Sequence, residues 1–398
     1  MLRERLYTTH GRAHGEAIYI VPLLDDIAAQ AQQADSTRSI SADLIKAIKR
    51  NDIMRLTASA ELSGLNESYV GIANELRAIA PRCSSTAWVI WNHLCLFHHF
   101  CALFGPQHLD FLTGLSTNHQ WVCQGAGAGT SVNGTSKNDY VIVNGVTTFG
   151  TGGRYADWTG ITIDADAGSP DFAMVRLNDP NVRIDPTWEA MSVRASATDH
   201  IYFNDVEISV AHIVRWHFKD RVIYRDPNHP VIHQRYREDW AATAVMWLGA
   251  MASGVADTSL IEIAEGIKER IAIFGTKMVE RPTVHVNIGR ARSLIDAATD
   301  TVYAALRETD ARITAQVAPT EGDYFRQASA GMQAIQLCDE AMKLILRVLG
   351  GNGLREGTNF ERRYRDFQAM PLHILAHTDR ITEQHGRITL GLESQNPF

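Results

Sequence analysis

His373 is the side chain in this sequence that is best suited to acid–base chemistry. It follows an arginine-rich stretch, Glu361–Asp366, which itself comes after a glycine-rich turn at Gly350–Gly353. Near neutral pH an imidazole can deprotonate a phenol or an amine, or protonate an oxygen atom. His377 lies one turn further along the same predicted helix, so the sequence leaves open which of the two rings enters a pocket.

Two segments rich in small residues offer backbone and hydroxyl donors. The glycines of Gly125–Ser131 permit close backbone approach, and exposed N–H groups there can bind a carbonyl group or a phosphate. A merely flexible loop is equally compatible with this segment, because it lacks the strand–GxGxxG–helix setting of a dinucleotide fingerprint. The second segment, Asn144–Trp158, places the hydroxyl of Thr151 beside Gly152. A hairpin turn that needs small residues is the alternative there.

Histidine pairs raise the alternative of a metal site. The chain has 16 histidines, among them His93 and His98 on an apolar stretch and the i, i+4 pair His373 and His377. Such pairs can bind zinc or iron. However, no HExxH arrangement occurs, and no glutamate stands within one turn of His373. We therefore predict no metal.

The composition is that of an ordinary soluble globular protein. The chain has 398 residues, 45% of them hydrophobic and 21% charged, and a net charge of −7. Because it has no basic footprint and no apolar run of about 18 residues, we expect neither a nucleic-acid partner nor a membrane span. The N-terminus lacks the apolar core of a signal peptide, and the five cysteines show neither a CxxC pair nor zinc spacing. These features predict a cytoplasmic protein with reduced thiols.

Three regions of the chain differ in their residue patterns. Residues 1–115 have apolar residues at helical spacing, residues 116–225 have short β-branched runs between turn residues, and residues 226–398 are helical again. Candidate helices of the last region span 237–268, 282–308, 320–349 and 361–388. Four long helices with short connections predict a bundle. The predicted fold class is therefore α+β: an N-terminal helical domain, a middle antiparallel β-barrel and a C-terminal four-helix bundle.

The order of these regions and several motifs resemble the acyl-CoA dehydrogenase superfamily, in which a flavin lies between a helical layer and a β-layer. The C-terminal stretch has that family's form GGxG-x7-ER-x-YRD, and Asn144–Trp158 is similar to its NGxxxxSSGxxxADW pattern. Trp188 begins a loop in which the family's glycines are replaced, and Arg270 and Phe274 resemble its RxxFG helix end. The resemblance implies flavin contacts at Gly127, Gly129, Thr130, Thr151, Gly152, Trp188, Arg270, Phe274, Gly350, Gly351 and Gly353.

One departure separates the chain from the dehydrogenases of this family. They carry a catalytic glutamate in an EGT triplet, whereas the corresponding positions here read Ile374-Leu375-Ala376, with His373 immediately before them. This exchange resembles the flavin-dependent monooxygenases of the family, two-component enzymes in which reduced flavin and O2 form a C4a-hydroperoxide. The resemblance implies a small aromatic, amine or thioester substrate and a homotetramer. It also implies FAD or FMN supplied in reduced form by a separate NAD(P)H-dependent flavin reductase.

The same resemblance implies catalytic roles for four side chains. His373 would activate the substrate, and Thr151 would lie at the flavin N5 edge and protect the oxygenated flavin. A second pocket histidine of the monooxygenase branch would lie on the apolar stretch 84–104, which has His93, His98 and His99; His93 and His98 are the candidates.

Two other functions fit parts of the sequence. An acyl-CoA dehydrogenase or oxidase acting on a CoA thioester would need another base for the α-proton, and Glu262 and Glu265 are candidates. A degenerate member of the family, which binds flavin without turnover, would account for the altered loop after Trp188.

Overall fold

The computed structural model describes residues 15–165, 171–215, 226–272 and 275–395. Phe274, one of the predicted flavin contacts, lies outside the described residues. The N-terminal part is helical, with α1 Leu24–Thr37, α2 Ala42–Arg50, α3 Tyr69–Ile79, α4 Ser84–Phe104 and α5 Leu109–Thr117.

Polar caps begin the N-terminal helices, and apolar faces anchor them. The side chain of Ser41 accepts the N–H of Leu44 at the start of α2, and Ser68 does the same for Gly71 at the start of α3. Each cap of this kind contributes about 1 kcal/mol to stability. The buried faces of α1 to α4 pack into one core with the C-terminal helices.

In the part of the chain that the structure describes, eight strands form one sheet between the two helical parts: β1 Val122–Gln124, β2 Ser131–Ser136, β3 Tyr140–Gly150, β4 Trp158–Ala165, β5 Asp171–Arg176, β6 Val182–Asp185, β7 Asp199–Ser209 and β8 Ile213–Arg215. The strand order is β6-β7-β3-β2-β4-β5-β8, with β1 beside β4. Within the described residues the sheet does not close on itself.

The prediction of a purely antiparallel sheet is wrong at β4. This strand pairs in parallel with both β1 and β2, whereas it pairs with β5 in the antiparallel sense. The reason is the connection 151–157, which carries the chain from β3 to the side of Trp121. There the carbonyl of Trp121 accepts the N–H groups of Asp157 and Trp158, so β4 starts alongside β1.

In the described residues the C-terminal part has the long helices α6 Trp240–Gly266, α7 Pro282–Thr314 and α8 Glu321–Leu349, followed by the shorter helices α9 Asn359–Phe367 and α10 Thr378–Thr389. The predicted helices at 237–268, 282–308 and 320–349 correspond to α6, α7 and α8. Local caps explain this agreement, because Asp239 accepts two N–H groups at the start of α6 and Thr320 forms a capping box with Asp323.

The prediction of one helix over 361–388 is wrong. The chain leaves the helical path after α9 and resumes it at α10, with Pro371 between them. Proline has no N–H to donate, and its ring clashes with the carbonyl four residues earlier, so a helix stops before it. His373 consequently lies in the connection, where it precedes the short 3-10 helix Ile374–Ala376.

Two helices of the core, α4 and α6, are long and apolar enough to cross a membrane by length and composition alone. The expectation that the sequence has no stretch long and apolar enough to cross a membrane is therefore wrong by this criterion. In the structure, however, 89% of the apolar window of α4 and 83% of that of α6 are buried within the protein. Helices that are apolar on all sides are typical of protein cores as well as of bilayers, and here both are enclosed by protein.

All five cysteines are free and buried: Cys83, Cys95, Cys101, Cys123 and Cys338. Burial raises the pKa of each thiol, to about 12 for Cys101 and Cys123. These groups are therefore protonated near neutral pH.

Candidate active site

The glycine-rich loop before β2 folds back over the end of β3. Thr130 Oγ1 accepts a backbone N–H from β3 at 3.1 Å, and Gly129 has a left-handed φ of 88°. A Cβ on Gly127 would stand 2.2 Å from the ring of Phe149, so only glycine tolerates this approach. The loop and the Thr151 segment, which follows β3, therefore form one continuous surface.

Phe149 lies on this surface, although the sequence prediction does not include it. Its φ is 58°, a conformation that bulky side chains rarely adopt, and 50% of its surface is exposed. Its ring meets that of Trp188 in an edge-to-face contact, with the centroids 6.0 Å apart. An exposed aromatic ring on a strained backbone offers a face on which a planar ligand can stack. An aromatic residue two positions before Thr151 is the sequence feature that indicates it.

A chain of three hydroxyl groups begins at Thr151. Thr151 Oγ1 lies 3.1 Å from Thr198 Oγ1, which in turn lies 2.7 Å from Ser196 Oγ. The N–H of Gly152, whose φ is 78°, donates to the Ser196 carbonyl at 2.9 Å. A Cβ on Gly152 would lie 3.7 Å from Val89 of α4. The Thr151 segment thus lies where the sheet meets the helical core.

Trp188 stabilises the loop in which the family's glycines are replaced. Its indole N–H donates to the carbonyls of Ser192 and Val193, at 3.2 and 3.1 Å. The N–H of Val193 donates in turn to Asp366 Oδ1, at the end of α9, at 2.8 Å. The indole N–H of Trp188 is therefore occupied within its own loop, while its ring borders Phe149.

His373 packs edge-on against two tryptophans of α4. Its ring centroid lies 5.5 Å from that of Trp88 and 5.0 Å from that of Trp91. Nδ1 accepts the N–H of Leu375 at 3.3 Å, so the neutral ring carries its proton on Nε2. Burial, reinforced by the positive charge of Arg380, lowers the pKa of His373 to about 4. The imidazole is therefore neutral near pH 7 and presents an N–H group.

The other two predicted catalytic histidines, His93 and His98, are fully buried. His93 Nδ1 accepts the N–H of Val122 at 3.1 Å, and its Nε2 donates to the carbonyl of Met54 at 3.0 Å. His98 Nε2 donates to the carbonyl of Glu238 at 3.0 Å. Burial lowers the pKa of both rings to about 4. Both nitrogens of His93 bond to the backbone, which gives this ring a structural role. Catalytic roles for His93 and His98 stay predictions.

Asn92 is a polar residue of α4 that the sequence prediction omits. Among the polar side chains of α4, all of which the structure describes, Asn92 alone keeps part of its surface exposed. It lies one helical turn after Trp88, on the same face, and its buried Oδ1 has no hydrogen-bond partner in the described structure. Asn92 therefore offers an acceptor beside the aromatic surface that His373 contacts.

Arg270 and Gly350 line a separate cavity of about 300 Å³ at the end of α8. The guanidinium of Arg270 lies 3.4 Å from the last carbonyl of that helix. Arg281 and Arg347 line the same cavity, so three guanidinium groups give it a positive potential that suits phosphate groups. The remaining predicted glycines of this turn follow in the 3-10 helix Gly350–Leu354, namely Gly351 and Gly353.

The carboxylates considered for an acyl-CoA dehydrogenase are both ion-paired. Glu262 accepts two hydrogen bonds from Arg363, at 2.6 and 3.0 Å, and Glu265 pairs with Lys268. Both carboxylates are thus held by cations of the chain itself. For metals, the described part of the chain brings together no group of three or more histidine, cysteine, aspartate or glutamate side chains.

A family model described as acyl-CoA dehydrogenase, C-terminal domain, matches residues 246–378. Over 387 residues the chain is 25% identical to the oxygenase subunit HsaA of a flavin-dependent monooxygenase from Rhodococcus jostii (strain RHA1), and the match covers 93% of this chain and 97% of HsaA. The chain is thus similar to members of the acyl-CoA dehydrogenase superfamily. It is also 22% identical to the oxygenase component of p-hydroxyphenylacetate 3-hydroxylase from Acinetobacter baumannii, over 94% of this chain and 88% of that protein.

Solved structures share the fold of this chain. XiaF from Streptomyces sp., in complex with FADH2 and glycerol, superposes with a TM-score of 0.84 at 17% sequence identity, over 99% of this chain and 97% of XiaF. The acyl-CoA dehydrogenase-like fold is thus confirmed, and so is the resemblance to the flavin-dependent monooxygenases within the superfamily.

Proposed function

We propose that this chain is the oxygenase component of a two-component flavin-dependent monooxygenase, with O2 as co-substrate and a small aromatic, amine or thioester substrate. One observation carries the proposal. A neutral imidazole, His373, packs on Trp88 and Trp91 immediately before the positions where dehydrogenases of the superfamily carry their glutamate. Two relatives named as oxygenase components of such enzymes support it.

The described residues fit a bound flavin. Phe149 offers an exposed ring for stacking, Gly127 allows close backbone approach, and Thr151 places a hydroxyl at the edge of the same surface. When bound in reduced form, FAD or FMN supplies the electrons with which O2 is activated. The arginine-lined cavity beside Arg270 fits the diphosphate of FAD.

His373 acts as a hydrogen-bond donor to the substrate. Because Nδ1 accepts the N–H of Leu375, Nε2 carries the proton and can donate to a phenolic oxygen on which negative charge develops. The low pKa of His373 keeps the ring neutral across the physiological range. Edge-type contacts with Trp88 and Trp91 hold the ring in place.

The acyl-CoA dehydrogenase alternative is weaker for this chain. It needs a carboxylate base, and both Glu262 and Glu265 are held by cations. The relatives described above also favour oxygenation over dehydrogenation.

The proposal includes a homotetramer assembled through a C-terminal four-helix bundle, with the sheet completed as a β-barrel. In such an assembly, the Arg270 cavity of one subunit would meet the flavin held at Thr151 of its neighbour. A separate NAD(P)H-dependent reductase supplies the reduced flavin, as the two-component relatives imply. We place the enzyme in the cytoplasm, where its free thiols would remain reduced.

Coupled turnover tests this function. Purified protein is mixed with NADH, FAD, an unrelated flavin reductase, ¹⁸O2 and a panel of phenols, aromatic amines and acyl-CoA thioesters. We expect one substrate class to yield a product that carries a single ¹⁸O atom, and only when the reductase is present. Bleaching of oxidised FAD by an acyl-CoA under anaerobic conditions, without ¹⁸O incorporation, would instead identify a dehydrogenase.

The arginine-lined cavity predicts a difference between the two flavins. Arg270→Gln should raise the Kd for reduced FAD about tenfold, because a charge-assisted contact to the diphosphate contributes about 1.5–3 kcal/mol. The Kd for reduced FMN should change less than about twofold, since FMN has no second phosphate to reach the cavity. Anaerobic titration followed by flavin fluorescence measures both values. Arg290→Gln is the matched control, because Arg290 pairs with Glu340 on an exposed face; equal weakening for FAD and FMN would contradict the assignment.

A further inference from the structure

Thr198 lies in the middle of a buried hydroxyl chain that ends at the proposed flavin surface. Ser196, Thr198 and Thr151 are 0%, 7% and 7% exposed, so bulk water does not complete their hydrogen bonding. Their oxygens are joined by contacts of 2.7 and 3.1 Å, and either atom of each pair can be the donor. The donor direction of these two hydroxyl–hydroxyl hydrogen bonds is therefore free to reverse.

The backbone holds this chain in register with the Thr151 segment. The carbonyls of Ser196 and Ala197 accept the N–H groups of Gly152 and Gly153 at 2.9 and 3.3 Å. Ala197 itself has a φ of 46°, a left-handed conformation that favours glycine. A residue keeps such a strained backbone conformation only where the surrounding contacts hold it there. The three hydroxyls are thus fixed in position while their protons can rotate.

The two donor directions of the hydroxyl chain make Thr151 either an acceptor or a donor toward a ligand. If Thr151 donates to Thr198, and Thr198 to Ser196, then Thr151 offers only lone pairs to a ligand. If the protons rotate the other way, Thr198 donates to Thr151, and the proton of Thr151 points to the ligand. Reduced flavin carries a proton on N5 and needs an acceptor there, whereas N5 of oxidised flavin is itself an acceptor.

We propose that Thr198 is a positioning residue: its hydroxyl accepts the hydrogen bond of Thr151 and donates in turn to Ser196, so that Thr151 is free to accept from N5–H of reduced flavin. The reversible hydroxyl chain thereby gives the reduced cofactor an acceptor at Thr151. This inference rests on the proposed function, because it requires a flavin at the Thr151 surface. It adds two residues, Thr198 and Ser196, that act through Thr151 rather than on the substrate.

Flavin binding, rather than turnover, tests the inference. In Thr198→Val the proton of Thr151 loses its buried acceptor and points to the flavin, so the Kd for reduced flavin should rise about tenfold. The Kd for oxidised flavin should stay within about threefold of the wild-type value. Thr198→Ser keeps the hydroxyl and should restore the wild-type ratio of the two constants. Oxidised flavin is titrated by fluorescence in air, and reduced flavin by anaerobic titration after dithionite reduction.

The outcomes separate this inference from the function on which it rests. If wild-type protein binds neither form of flavin, the proposed function fails. If wild-type binds flavin and the ratio of the two constants is the same in Thr198→Val, the hydroxyl chain has no orienting role and the inference is overturned. A change in both constants by the same factor, in Thr198→Val and Thr198→Ser alike, would also overturn it, because a steric effect explains that result. Ser196→Ala should move the ratio in the same direction as Thr198→Val, by a smaller factor.

Discussion

Replacing His373 with alanine is expected to lower the rate of substrate oxygenation by about two to three orders of magnitude, the usual contribution of a positioned proton donor or acceptor. Reduced flavin should still bind with a Kd within about twofold of wild type, since the proposed flavin contacts lie on the sheet and its loops. When the substrate is not oxygenated, the electrons of reduced flavin should instead reduce O2 to hydrogen peroxide. Product yield per NADH and peroxide formation, measured with the same reductase, give the result directly.

His377→Ala is the matched control for this variant. His377 is also an imidazole of the same connection, at the N-terminal boundary of α10, but the α4 tryptophans are contacted by His373. The control should retain most of the oxygenation activity. The assignment would be refuted if His373→Ala lost flavin binding or cooperative unfolding, or if His377→Ala proved the more damaging of the two.

Acid is expected to destabilise the protein steeply below about pH 6.5. Burial lowers the pKa of His93, His98 and His373 to about 4 and that of His99 to about 3, and it also lowers the pKa of His212 and His233. Their folded-state pKa values lie below the unfolded value of about 6.5, so the unfolded chain binds more protons as the pH falls. The contribution of these uncharged histidines to the free energy of unfolding is therefore fully present above pH 6.5, and it is lost as the pH falls towards 4.

Two carboxyl groups act in the opposite direction. Burial raises the pKa of Asp366 to about 7, despite the nearby Arg365, and burial also raises the pKa of Asp310. A net uptake of about two to three protons on unfolding remains, which lowers the unfolding free energy by roughly 3–4 kcal/mol per pH unit. This slope is comparable to a large part of the total stability of a typical protein.

Thermal unfolding between pH 7.5 and 5, at constant ionic strength, measures this slope. His99→Phe keeps an aromatic ring against Trp240, whose ring lies 4.5 Å away in the wild type, and removes one titrating group. The number of protons taken up on unfolding, which sets the slope of unfolding free energy against pH, should fall by about one in this variant. A melting temperature that does not change between pH 7 and 5 would show that these histidines are not buried in their neutral form.

Helices whose ends are encoded locally could be predicted from the sequence. Asp239 and Thr320 are capping residues directly before α6 and α8, and Gly350 follows α8 with a left-handed φ of 60°. The error at 361–388 has a local cause as well, because Pro371 is visible in the sequence and stops the helix. The parallel pairing of β4 has no such signature, since it depends on how the connection 151–157 crosses to Trp121.

The chemistry of the site was only partly predictable for the same reason. Thr151 and the glycine-rich loop lie in motifs whose residue types suggest their use. The structural role of His93 is set by backbone groups of Met54 and Val122, which are distant in the sequence. The partial exposure of Asn92 depends likewise on which neighbours cover α4, and an apolar helix gives no indication of that.

The five buried thiols bear on how such an enzyme survives its own reaction. A reduced flavin that reacts with O2 without a substrate releases hydrogen peroxide, and peroxide oxidises thiolates far faster than thiols. Because burial keeps Cys83, Cys95, Cys101, Cys123 and Cys338 protonated, uncoupled turnover would leave the core of the enzyme free of sulfenic acids. Its lifetime under oxidative load would then be limited by residues other than cysteine.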